Sequence, residues 1–79
     1  MRVNSDAITP AEFRLVKWQF RYAGFFENLM YNLMAAADDN NLAKLALAFP
    51  DDAEAYRRYA QESGYWTDVK KRAGIAEDL

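Results

Sequence analysis

Four carboxylates stand in two adjacent pairs, Asp38-Asp39 and Asp51-Asp52, and a fifth, Glu27, falls inside an apolar run. Paired carboxylates supply the oxygen ligands that Mg²⁺ or Ca²⁺ requires. The spacing here lacks the central glycine and the terminal bidentate glutamate of an EF-hand loop. Each pair also opens a helical pattern, so N-terminal capping accounts for both. The 79 residues include no cysteine and no histidine. Thiolate nucleophiles, disulfides and cysteine-ligated metals are thereby removed, along with the commonest general base and metal ligand. A lone glutamate with no second catalytic group is a poor basis for acid–base work. The residue types therefore predict no catalytic site, no metal and no cofactor.

Two groups of cations remain. Arg14, Lys17 and Arg21 recur at helical spacing on one face, and Lys70-Lys71-Arg72 form a short run near the C-terminus. Either group could meet phosphates or an acidic partner. The overall balance argues against nucleic acid: ten basic residues against twelve acidic ones give a net charge of −2, and the pI is near 5.0. A nucleic-acid module ordinarily carries a basic excess. A solvated helix edge explains the first group, and cations complementing a helix C-terminus explain the second. A small nucleic-acid-binding regulator using these six residues is the alternative reading.

The elements that would position these groups are helical. Thr9-Pro10-Ala11-Glu12 is a strong start signal, with Thr9 as cap, Pro10 at the first helical position and Glu12 closing a capping box. From Pro10 to about Ala37 only Gly24 weakens a helix, so the pattern predicts one long first helix with Gly24 as a kink or close crossing. Asp38 to Asn41 reads as a turn that caps a helix to about Phe49, which Pro50 ends. Asp51 caps the next helix, which runs to about Ser63 and stops at Gly64. Tyr65 and Trp66 fall in the following loop, and Thr67 opens a last short helix closed by Gly74. Period-two alternation is absent, so no strand is expected. The expectation is an all-α bundle of three to four helices with a long N-terminal helix. Residues 1–8 form a flexible arm, 9–74 a single domain and 75–79 a tail. The N-terminus has no apolar signal-peptide segment, and polar residues interrupt every long apolar stretch, so no membrane span is expected.

The first helix carries two apolar faces. One is Leu15, Trp18, Tyr22, Phe25, Leu29, Leu33 and Ala36. The second is Phe13, Val16, Phe20, Ala23, Met30 and Met34, with Glu27 in its middle. A surface helix shows one apolar stripe about 100° wide or a little more, so this girth implies packing on two sides. The second face is expected to meet a partner through Phe13, Val16, Phe20, Met30 and Met34, with Glu27 meeting a cation there or pairing internally with Arg57, Arg58 or a tyrosine. Tyr65 and Trp66, an aromatic pair suited to binding surfaces, join that site. On this reading Phe20→Glu or Met34→Glu abolishes association and leaves helicity intact.

Residues 29–66 carry a recurring arrangement. A helix leads into Ala37-Asp38 with Asn41-Leu42. Phe49-Pro50-Asp51 then precedes Ala55-Tyr56, and Gly64-Tyr65-Trp66 follows. This run resembles small helical proteins encoded by bacteriophages and prophages. The resemblance implies a mobile-element origin and no enzymatic role. Small acidic phage proteins of this size resemble host-takeover factors, anti-CRISPR inhibitors among them, that act by binding a host protein. The expectation is a non-enzymatic factor in the cytoplasm of a bacterial host, which occupies a host or phage protein surface and forms a homodimer or a hetero-complex through the first helix.

Overall fold

The structure is a computed structural model that describes residues 3–75. Among these residues the protein is helical and has no strand. A single 3₁₀ turn, Ser5–Ala7, precedes five α-helices: α1 Pro10–Gln19, α2 Phe25–Ala36, α3 Asp39–Ala48, α4 Pro50–Gln61 and α5 Tyr65–Ala73. The all-α expectation holds, but the bundle has five helices rather than three to four.

The long first helix does not exist. α1 begins as its sequence dictates: the Glu12 N–H donates to Thr9 Oγ1 over 3.1 Å and the Thr9 N–H donates to Glu12 Oε1 over 2.9 Å, a complete capping box. It ends ten residues later in a Schellman arrangement. The Tyr22 N–H reaches the Lys17 carbonyl at 2.7 Å and the Arg21 N–H reaches the Trp18 carbonyl at 3.2 Å. The left-handed position of that motif, normally glycine, is Arg21 with φ 65°. Gly24 is no kink within a helix. It is the extended N-cap of α2, and its N–H donates to Glu27 Oε1 over 3.3 Å.

The later boundaries follow local chemistry more closely. Asp38 caps α3 by accepting from the Asn41 N–H at 2.8 Å. Pro50 opens α4 as its first residue, so Phe49 rather than Asp51 is the N-cap. Gly64, left-handed at φ 84°, precedes α5 directly. Tyr65 and Trp66 therefore open α5 instead of lying in a loop. Gly74, at φ 77°, closes α5 in a second Schellman motif, with the Ile75 N–H on the Lys70 carbonyl at 2.9 Å.

α4 is the hub and packs against α1, α2, α3 and α5. The core between them holds Leu15 and Val16 of α1, Met30, Tyr31 and Met34 of α2, Ala53 of α4 and Val69 of α5. Within residues 3–8, Val3 and Ile8 pack on the core, and the Asn4 N–H donates to the Ala73 carbonyl at 2.9 Å. Ile75 is buried too, while the remainder of the expected tail lies outside the described residues. No helix among the described residues is long and apolar enough to cross a membrane.

Candidate interaction surface

Most of the residues that helical spacing placed on an open second face are turned into the protein's own core. Val16 and Met34 are fully buried, and Met30 and Tyr65 are nearly so. Phe13 and Phe20 are half-buried and pack on the core's edge. The physical reason is the break at residues 20–24. Once α2 starts afresh and folds back over α1, the methionines point inward beside Leu15 and Val16.

Glu27 is also accounted for within the chain. Its Oε1 lies 3.2 Å from Lys17 Nζ and accepts from the Gly24 N–H, so it ties the end of α1 to the start of α2. Its partner is neither Arg57, Arg58 nor a tyrosine. Trp66 is half-buried in an aromatic row, with its ring centroid 6.2 Å from Phe20 and 5.5 Å from Tyr59. Trp18 continues that row, 6.0 Å from Tyr59 and stacked at 5.5 Å on Tyr31. Its indole N–H donates to Asn32 Oδ1 at 2.9 Å.

The cations are largely engaged inside the protein. Arg14 Nε donates to Asp52 Oδ1 at 2.7 Å, and Lys17 is held by Glu27. Arg72 grips both oxygens of Glu12, at 2.9 and 3.0 Å, and its Nε meets Asp68 at 2.8 Å. Lys70 lies over the Trp66 ring, with Nζ 5.7 Å from the centroid. Arg21 and Lys71 are exposed. The two basic groups thus serve mainly as internal ties.

Two carboxylates with no burial signal in their local sequence, Glu12 and Asp52, are only 4% and 7% exposed. Each meets one tyrosine hydroxyl and one arginine. Tyr65 donates to Glu12 Oε2 at 2.7 Å, and Tyr31 donates to Asp52 Oδ1 at 2.7 Å. Arg72, with the Thr9 N–H and Tyr65, holds the Glu12 pKa down to about 2. Burial and the adjoining carboxylate push both tyrosine pKa values up. Among the described residues no buried side-chain nitrogen or oxygen lacks a partner, and no cluster of three or more acidic residues is disposed to hold a metal. Asp52 belongs to this buried network rather than to a helix cap.

The protein leaves open a single leucine of α3, Leu47, and the whole other side of α2. Tyr22, just before it, is 63% exposed; Phe25, Phe26, Leu29 and Leu33 are 84, 64, 51 and 55% exposed. At 3.6 residues per turn, Phe25, Phe26, Leu29, Leu33 and Ala36 fall within about 100° of arc, directly beside the arc that Met30 and Met34 bury. Glu27 is the only charged residue between Arg21 and Asp38, and it is committed to Lys17 and Gly24. The outward face of α2 is therefore a continuous apolar stripe without a charge of its own. Phe26 continues it toward α3 and α4 by an edge-on contact with Phe49 at 6.0 Å. The two faces have thus exchanged roles along α2. The signal was present in the sequence as the Phe25-Phe26 pair inside a nearly uncharged stretch.

No protein family, curated protein or solved structure matches this chain.

Proposed function

We propose that this is a non-enzymatic interaction protein that works by docking the outward face of α2 on a protein partner. One observation carries the reading. Five large apolar side chains, Tyr22, Phe25, Phe26, Leu29 and Leu33, are more than half exposed along, or directly before, one uncharged helix face. Monomeric proteins rarely leave a contiguous apolar patch larger than a few hundred Å² open to water, and such patches mark interaction sites. Two phenylalanines and a tyrosine are also the kind of anchors that dominate interface energetics. The resemblance of residues 29–66 to small phage and prophage proteins supports a finer form of the reading. In that form the protein is a mobile-element factor of the bacterial cytoplasm, of the type that includes anti-CRISPR inhibitors, covering the working surface of a host protein.

The test is capture of a partner from host lysate by the wild-type chain and by a Phe25→Ser/Leu33→Ser variant. Both side chains are exposed, so the variant keeps its helicity. The expected result is a defined protein retained by the wild type and lost by the variant. Equal capture by both overturns the assignment of the face.

A further inference from the structure

We infer that the face of α2 is self-complementary, and that in the free protein it is covered by a second copy of this chain in an antiparallel α2–α2 pair. This rests on the reading of α2 as a docking face and names its occupant.

Three observations select a second copy. The first is area. At about 200 Å² per aromatic side chain, the exposed parts of Tyr22, Phe25 and Phe26 alone offer roughly 400 Å². Leu29, Leu33 and Ala36 extend the stripe toward the ~800 Å² per partner that a stable interface buries. The second is charge. A charge buried without a partner in a helix–helix seam is costly. The stripe carries none, because Glu27 is already held by Lys17.

The third is the order of side-chain sizes along the helix. The stripe Phe26, Leu29, Leu33, Ala36 repeats at three- and four-residue spacing, the pattern by which helices interlock. It begins with a large ring and ends with a methyl. Antiparallel pairing sets Phe26 of one copy over Ala36 of the other and Leu29 against Leu33. Four leucines then fill the centre, and each end is closed by a large side chain over a small one. Parallel pairing would stack Phe26 on Phe26 and leave a gap between the two Ala36 side chains. Antiparallel pairing also places the N-terminal end of each α2 beside the C-terminal end of its mate, which is the favourable arrangement of helix dipoles.

Sedimentation equilibrium on the full chain at micromolar concentration tests the pairing. The wild type is expected as a dimer. Leu29→Glu, which sets a carboxylate against the Leu33 of the other copy, is expected as a monomer with unchanged helicity. A monomeric wild type, or a dimer indifferent to Leu29→Glu, overturns the proposal. The register has its own test, and the native chain contributes no cysteine to confuse it. Leu29→Cys and Leu33→Cys proteins are mixed and oxidised. The expected main product is the mixed disulfide that links one variant to the other. Predominance of disulfides that link each variant to itself overturns the antiparallel arrangement. A monomeric wild type whose partner capture is still lost in Phe25→Ser/Leu33→Ser removes self-pairing alone. Capture that survives in that variant removes the docking face itself.

Discussion

The Tyr65 hydroxyl donates to Glu12 Oε2 across 2.7 Å, joining two residues 53 positions apart in the chain. Arg72 closes on the same carboxylate from the same helix as Tyr65. Glu12 thus caps α1 and anchors α5 at once. A buried carboxylate is costly unless paired and hydrogen-bonded, and here both conditions are met.

The linkage has a direction. The Glu12 pKa in the folded protein is about 2, against an ordinary 4.5, so ionised Glu12 stabilises the fold. That contribution is complete above pH 4.5 and is lost as pH falls toward 2. Urea unfolding midpoints should decline through that window in the wild type. They should decline less in Glu12→Gln, which should also lose about 2 kcal/mol at neutral pH. Parallel pH profiles for the two proteins would contradict the assignment.

Tyr31 is fully buried, and its hydroxyl is shared between Asp52 Oδ1 at 2.7 Å and the Ala11 carbonyl at 3.1 Å. Tyr31→Phe keeps the ring on Trp18 and removes the donor. It should cost about 1–2 kcal/mol, because the Asp52 carboxylate then depends on Arg14 alone. Chemical denaturation at neutral pH measures this. An unchanged midpoint would show that the hydroxyl bond contributes nothing net.

Arg21 occupies a left-handed position at φ 65°, where a side chain is disfavoured. Arg21→Gly should raise stability by about 0.5–1 kcal/mol. Gly74→Ala, at φ 77° in the matching motif of α5, should lower it by about 1 kcal/mol. Opposite signs in the two melting curves are expected; a loss in both would mean that Arg21 makes a contact worth more than its backbone strain.

Met34 and Leu33 are neighbours with opposite fates. Met34→Glu should unfold the chain, because the side chain is fully enclosed by the core. Leu33→Glu should leave the circular-dichroism melt within about 0.5 kcal/mol of the wild-type monomer, since its side chain is 55% exposed. A folded Met34→Glu protein would restore the two-sided rod that the unbroken spacing suggests.

Local chemistry made much of this structure legible in advance. The Thr9–Glu12 capping box, the Asp38 cap and the Gly74 stop are short-range events written in neighbouring residues, and each stands where its sequence puts it. The break after Gln19 was not legible. Its left-handed residue is arginine rather than glycine, and nothing in the flanking propensities forbids a continuous helix.

Composition and spacing by themselves determined a helical chain with too much apolar surface along residues 13–36 for a single contact. Only tertiary structure decided which part of that surface is covered. Ending α1 at Gln19 lets α2 fold back, so that burial of Met30, Tyr31 and Met34 against α1 and α4 offsets the cost of the broken helix. The same turn leaves Phe25, Leu29 and Leu33 outside. Periodicity counts apolar faces, but the packing of non-local helices selects which face becomes core, because burial is non-directional and rewards whichever side the chain can enclose.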